Sequence, residues 1–418
     1  MNRTCPGRRR NRLSAIFFIQ EEICLNQLLH TPEGVRDIYS DECERKLILE
    51  NRLHRVFQSY GFHPIQTPTF EFFDIFGKEI GTTPSKDLYK FFDREGNTLV
   101  LRPDFTPSIA RCASKYYMED TTPIRFCYQG NTFINNSSYQ GLLKETTQSG
   151  AELIGDGSVG ADAEMIALTV QLLLKAGLKE FQISVGHVDF LKGLFEAADL
   201  GEDTEEEIRE LLLNRNFYGV EDIISHCGLG DDLNYLFGLL KDVMLTREKI
   251  TEAQERARDF PKICAALKRL EQLEDLLRVY GVDQYVFYEM AMVSGLNYYT
   301  GIIFSGYTFG SGEAVVKGGR YDRLLEYFGK SAPAIGFVIV IDQLMNALQR
   351  QNIRIPFENK TKWFVYSEKR RDEAIRDALV LRREGEHVEM MPVTDENTAE
   401  SYRQRAGQFR IQDVIYYI

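Results

Sequence analysis

Several spacings in this 418-residue chain could carry chemistry, and the most familiar ones do the least. Gly155-Asp156-Gly157-Ser158-Val159-Gly160 fits the G-x-G-x-x-G pattern that seats a pyrophosphate on a helix N-terminus. Asp156 would face that anion, however, and the surrounding strand-like runs lack the βαβ context the motif needs, so a tight turn is expected. His187-x-Asp189 and His226-Cys227 are the only close pairs of metal-ligating type, too few to converge on a tetrahedral ion. No metal and no cofactor is expected. The seven cysteines have no C-x-x-C spacing, which fits reduced thiols in a cytoplasm. Thr204-Glu205-Glu206-Glu207 reads as a capping box, a solvated helix start with acidic side chains at its positive end.

More informative is a set of distant segments in fixed order. They are Pro32-Glu33-Gly34-Val35-Arg36-Asp37, Tyr60-Gly61-Phe62, Thr67-Pro68-Thr69-Phe70-Glu71 and Leu101-Arg102-Pro103-Asp104-Phe105-Thr106. Gln148-Ser149-Gly150-Ala151-Glu152, Gly295-Leu296-Asn297-Tyr298-Tyr299-Thr300-Gly301, Gly318-Gly319-Arg320-Tyr321-Asp322 and Pro333-Ala334-Ile335-Gly336-Phe337 follow.

The elements that must position them follow from periodicity. Residues Ser40 to Tyr60 form a helix, with Leu47, Leu49, Leu53, Val56 and Phe57 as its apolar stripe and Gly61 as its stop. Phe62 to Pro68 is extended. Leu88–Phe92, Thr98–Leu101, Ile124–Tyr128 and Glu145–Ile154 read as an antiparallel meander. Ala161–Ala176 is a helix ended by Gly177, and Phe181–Val188 is a strand. Residues from Phe190 to about Val282 are almost wholly helical. Strands return at Tyr285–Met290 and Thr300–Phe309, a helix follows Asp322, and Ala334–Ile341 is a buried strand or helix start. After a polar linker at 351–361, the chain from Trp363 reads β-α-β-α-β.

Hydrophobic residues make up 44% and charged residues 27%, a globular composition. With 62 acidic against 50 basic side chains the net charge is −12, which disfavours non-specific nucleic-acid binding. The longest clean apolar run, Ala334 to Ile341, is far short of the roughly 20 residues of a membrane helix, so no membrane partner is expected. Residues 1–24 stand apart, with Arg3, Arg8, Arg9, Arg10 and Arg12 before a short apolar stretch. They read as a disordered arm, or as untranslated sequence ahead of a start at Leu25; Glu21 and Glu22 argue against a signal peptide.

The ordered segments resemble the catalytic core of histidyl-tRNA synthetases over roughly residues 29–345. The resemblance implies an α+β fold, a class II synthetase-like antiparallel sheet flanked by helices. It implies three regions: a core over 25–350, a helical insertion at about 190–285, and a truncated anticodon-binding-like module over 362–418. It places Asp104, Thr106, Gln148, Glu152, Tyr298, Tyr299 and Tyr321 around a histidine, with the acidic groups nearest its amino group and imidazole. An acidic residue facing an imidazole N–H is sound recognition chemistry.

The departures from the synthetase pattern are specific. Where the family carries F-R-x-E, this chain reads Phe133-Ile134-Asn135-Asn136. The family's catalytic arginine before Gly295 is Ser294, and the third motif's closing arginine is Gln343. Amino-acid activation brings a carboxylate against an anionic phosphate and needs fixed forked donors. Losing one donor to developing charge costs about 10²–10³ in rate. With Ser294 in place, Arg320 is the candidate cation for the ligand carboxylate.

A synthetase core so altered resembles the regulatory subunits of ATP phosphoribosyltransferase, the non-catalytic synthetase paralogues of histidine biosynthesis. That resemblance implies a short-form catalytic subunit as partner, histidine as effector, a hetero-octamer, and a homodimer built through the first class II motif. A working histidine–tRNA ligase is the alternative, opposed by Ile134, Ser294 and Gln343. The other is a non-charging tRNA-binding pseudo-synthetase, for which Arg370, Arg371, Arg376, Arg382, Arg383, Arg403, Arg405 and Arg410 are the basic candidates. Their interleaved acids fit solvated helix faces better, which argues against tRNA as a partner.

Overall fold

The computed structural model describes residues 29–77, 83–136, 142–293 and 299–418. The readings made for residues 1–24, for Ser294 and for Tyr298 lie outside the described residues.

The first described helix, Ser40–Ser59, buries Leu49, Leu53, Val56 and Phe57. At about 100° per residue these four fall in one arc. Leu47 was expected in the same stripe but is exposed, because it sits on the opposite side of the helix. The helix stops before Gly61, whose φ of 74° is the left-handed region that glycine enters freely.

Among the described residues, eleven strands follow in the first unit. They are β1 His63–Pro64, β2 Phe70–Phe72, β3 Lys90–Phe92, β4 Thr98–Leu101, β5 Ile124–Phe133 and β6 Glu145–Ile154. Then come β7 Phe181–His187, β8 Val286–Tyr288, β9 Ile302–Thr308, β10 Val316–Arg320 and β11 Ala334–Val340. The expected meander divides in two. β2, β3 and β4 form a small sheet of order β2-β4-β3, and the rest form an eight-stranded sheet of order β1-β5-β6-β11-β10-β9-β7-β8. The large sheet is antiparallel except at its edges, where β1 runs parallel to β5 and β8 parallel to β7.

Strand alternation gives this sheet two different faces. Phe337 packs under the first helix, its ring 6.2 Å from Phe57. Val159–Ala176, buried along most of its length, lies on the same side and ends at Gly177 with φ 110°. The opposite face carries Gln148, Gly150 and Glu152 of β6, Gly336 and Val338 of β11, and Lys317 and Gly319 of β10, in paired register.

Helices fill Val188–Tyr280 as the pattern indicated. The capping box does not form: the helix Glu202–Leu213 starts after Gly201, which makes no side-chain cap, and Thr204 lies inside the first turn. Glu202, Asp203 and Glu205 still occupy the positive end, so the dipole argument survives the shift. The expected helix after Asp322 is only a 3-10 turn, Leu324–Phe328, stopped by Gly329. His187 accepts the Asp189 backbone N–H at 3.2 Å and caps the helix Val188–Ala197.

The contacts divide the chain after Arg354. The second unit pairs β12 Lys362–Tyr366 in parallel with β13 Val388–Pro392 and β14 Asp413–Tyr417, in the order β13-β12-β14. Phe364 packs with Ala374, Ala378 and Tyr417 on one side, and Trp363 and Val365 with Tyr402 and Ala406 on the other. Arg370, Arg371 and Arg403 pair with Glu373, Glu368 and Glu400.

One buried ion cluster ties the helices to the sheet. Asp162, fully buried, accepts from Arg320 Nε at 2.9 Å and Nη2 at 2.7 Å, and from Arg269 Nε at 2.8 Å. Burial, with Arg269 and Arg320 close by, pushes the His187 imidazole down to about 3, so it folds uncharged. Removing the carboxylate would strand two guanidinium groups in this site. Asp162→Ala is therefore expected to cost about 3–5 kcal/mol in urea unfolding, and an unchanged midpoint would show the cluster to be incidental.

Candidate functional site

Glu152 lies near the C-terminal end of β6 and is 1% exposed. Its carboxyl fits there because Gly336 stands opposite: a Cβ at that position would fall 1.6 Å from Glu152 Oε2. Thr106 Oγ1 donates to Glu152 Oε1 at 2.9 Å, and the Tyr321 hydroxyl donates to Oε2. Burial pushes the Glu152 carboxyl up to about 8, although both hydroxyls pull it down; Asp104 adds to the rise. At neutral pH the carboxyl is largely protonated.

In front of Glu152 is a cleft of about 180 Å³ lined by Asp104, Thr106, Gln148, Tyr299 and Tyr321 among others. Thr106 opens the helix Thr106–Tyr116, and Asp104 Oδ1 accepts its backbone N–H at 3.2 Å, which fixes the turn before that helix. Tyr299 presses against Gly319, where an added Cβ would come within 2.7 Å of its ring. Gln148 Oε1 is buried and, among the described residues, accepts no hydrogen bond. The fold thus gathers six of the seven residues that the resemblance singled out; Tyr298 is outside the described residues.

The cationic assignment needs correction. Arg320 does not face the cleft: β10 alternation turns it to the helix side, where Asp162, Asp322 and the carbonyls of Asp156 and Ser158 occupy it. Those carbonyls also settle the G-x-G-x-x-G segment. It is a turn with Gly155 at φ 96°, it presents oxygens to an arginine, and Ser158 caps the next helix. Arg102 is likewise engaged, by the carbonyls of Thr67 and Asn131 and by the Phe105 ring, 4.0 Å from its guanidinium.

Tyr128 and Lys317 are among the lining residues that escaped the sequence reading. Tyr128 is buried, stacked on Phe105 at 4.4 Å, and backs the cleft beside Gly150. Lys317 reaches the cleft from β10. Both could have been found from period-two alternation, since Lys317, Gly319 and Tyr321 share a face. Ile134 also lines the wall.

An antiparallel sheet with helices on one face and a polar cleft on the other defines a class II synthetase-like domain. The histidyl-tRNA synthetase family model matches residues 34–344. The chain is 38% identical over 386 residues to the ATP phosphoribosyltransferase regulatory subunit of Acetivibrio thermocellus, covering 91% of each. It is 34% identical over 394 residues to that of Ruminiclostridium cellulolyticum, covering 93% of this chain and 92% of the relative. A solved Bacillus halodurans structure described as an ATP phosphoribosyltransferase regulatory subunit/histidyl-tRNA synthetase superposes with a TM-score of 0.83 at 32% identity, over 93% of this chain and 98% of that one. The histidyl-tRNA synthetase of a Nostoc species shares the fold, with a TM-score of 0.75 at 20% identity over 92% and 90%. The chain belongs to the family of ATP phosphoribosyltransferase regulatory subunits. No helix among the described residues is long and apolar enough to cross a membrane.

The raised Glu152 carboxyl has a measurable consequence. The native state keeps a proton there up to about pH 8, whereas an unfolded glutamate loses it near 4.5. Stability is therefore full below about 4.5 and is lost progressively as pH rises toward 8. Glu152→Gln keeps the shape without the ionisation. Its melting temperature should gain on the wild type between pH 5 and pH 8 in thermal scans; a constant difference would place the carboxyl in a solvated setting.

Proposed function

We propose that this chain is the non-catalytic regulatory subunit of an ATP phosphoribosyltransferase, binding and activating a short-form catalytic subunit and passing on inhibition by histidine sensed in the Glu152 cleft. The observation that carries the ligand reading is one buried acceptor that opens on the cleft without a donor. Gln148 Oε1 is buried and unsatisfied among the described residues, and such a group costs about 1–3 kcal/mol until it is paired. Asp104 lines the same cleft, and Glu152 lies just behind its wall. A histidine brings an ammonium for Asp104 and Gln148 and an imidazole for Glu152.

Loss of synthetase chemistry is supported by two neutral side chains at positions where the resemblance implies arginine. Ile134 forms an apolar patch of the cleft wall, and Gln343 sits in the first turn of the helix Ile341–Arg350. A triphosphate would find little there to balance its charge. A homodimer is proposed through the first motif, the helix Ser40–Ser59 and the strand before Pro68; just beyond it, Phe70 and Phe72 are 52% and 55% exposed on one face of the small sheet, with Phe91 against Phe70 at 5.8 Å. The ion pairs of Arg370, Arg371 and Arg403 support solvated helix faces over a tRNA-binding stripe.

The deciding experiment measures phosphoribosyl-ATP formation from ATP and phosphoribosyl pyrophosphate by a purified short-form catalytic subunit. The assay is run with and without this chain and with and without histidine, alongside sedimentation of the chain alone. Activation that histidine reverses, with a dimeric regulatory chain, is expected. A competent partner that gains nothing from the chain overturns the reading.

Proton counting gives a second expectation. A complex between Glu152 and an imidazole shares one proton. Between about pH 6.5, where a free imidazole titrates, and about 8, where empty Glu152 does, the separated pair also holds one. Below that window binding must expel a proton and above it must take one up. Calorimetric histidine affinity should be flat across the window and fall on either side by about tenfold per pH unit; a monotonic profile would remove Glu152 from the contact.

A further inference from the structure

The charge in the cleft is laid out in order along the sheet. Glu152, Gly336 and Gly319 lie in one paired row across β6, β11 and β10. Gly150, Val338 and Lys317 form the next row, on the same face. Two residues along a strand is about 6.7 Å, the scale of a single amino acid. The Glu152 carboxyl belongs to the first row, and Gln148 to a third, paired with Val340 on the far side of the second; Asp104 lines the same cleft. Lys317 enters from the second and, among the described residues that line the cleft, is the only cation. Among the described residues its ammonium has no ion-pair or hydrogen-bond partner. The two nearby arginines, Arg102 and Arg320, are spent on carbonyls and carboxylates away from the opening.

We infer that Lys317 holds the carboxylate of the bound amino acid, so that the cleft selects a zwitterion rather than an imidazole compound alone. The inference rests on the reading of the cleft as a histidine site and adds the residue that completes it. A carboxylate fits better here than a phosphate. Phosphate sites gather several donors, from forked guanidinium groups or helix N-termini. Lys317 offers one ammonium, and the side chains lining the cleft around it include Ile134 and Val338. A single flexible ammonium in apolar surroundings matches one negative charge. The lysine side chain is exposed, so its substitution leaves the buried groups behind it in place.

The test is titration calorimetry of the full chain with histidine and with histidinol, in which an alcohol replaces the carboxylate. The wild type should bind histidine more tightly than histidinol by about tenfold or more, the usual worth of a hydrogen bond to a charged group. Lys317→Gln should abolish that difference by weakening histidine alone, and Lys317→Arg should restore part of it. Equal weakening of both ligands, or none, overturns the assignment. If Lys317→Gln does not fold, the wild-type ratio decides, and equal affinities reject the lysine. Failure of the wild type to bind either ligand would reject the cleft as a histidine site, and the lysine's role with it. That outcome is distinguishable from a wild type that binds both alike, which rejects the lysine alone.

Discussion

A carboxyl group buried in the middle of a β-sheet has few stable options. It must be neutral, or every oxygen must be matched by a donor. Glu152 does some of each. The Thr106 and Tyr321 hydroxyls hold its two oxygens from elements far apart in sequence, a helix start and the residue after β10. The space exists because β11 has glycine at position 336. Those contacts fix how β6, β10, β11 and the helix Thr106–Tyr116 meet, and therefore where the cleft opens. Because hydroxyls can donate or accept, the same group can exist with or without its proton in one geometry. That property suits recognition of an imidazole, whose own proton is labile near neutrality.

Strand β10 shows how one segment serves two tasks. Alternation sends Lys317, Gly319 and Tyr321 toward the cleft and Arg320 to the other side. There Asp162 and Asp322 receive it. Asp162 also receives Arg269 from the helix Pro261–Tyr280 of the insertion. The paired glycines Gly318 and Gly319 are needed for both. A side chain at 318 would strike the Phe304 ring at 2.5 Å, and one at 319 would strike Tyr299. The Gly318-Gly319-Arg320-Tyr321-Asp322 segment is therefore a packing requirement as much as a chemical one.

Much of this was legible in the chain itself. Helix stops at Gly61 and Gly177, the β5–β6 pair, the helical stretch and the β-α-β-α-β unit all follow from periodicity and turn residues. Local readings failed where a neighbour overrode them. Thr204 looked like a cap, but Gly201 allowed the helix to begin three residues sooner. Leu47 looked apolar and periodic, but it faces away from the arc that packs. Arg320 looked available to a ligand because a sequence does not display Asp162, 158 residues away, as its partner. The gathering of Asp104, Gln148 and Glu152 came from resemblance, not from spacing: nothing local says that Asp104 and Gln148, 44 positions apart, share a cleft. Lys317 was missed for a different reason. Its face could be read from alternation with Tyr321, but a lone lysine on a strand looks like a solvated one until the walls around it are known.

A ligand in this cleft can influence a distant catalytic site only through contacts that differ between two states of the protein. The cleft wall that is least free to respond locally is β10. Any shift of Tyr321 or Lys317 moves the backbone of Arg320, and Arg320 is bound to a fully buried carboxylate. Pulling it away would leave unpaired charge in a low-dielectric interior, which costs several kcal/mol. Carrying Asp162 and Arg269 along breaks no ion pair and costs less. The cluster therefore couples β10 to the helix Val159–Ala176, which carries Asp162, and to the helix Pro261–Tyr280, which carries Arg269. In this fold the buried ion cluster does more than hold the helices to the sheet. It joins a helix of the insertion to the strand that lines the cleft.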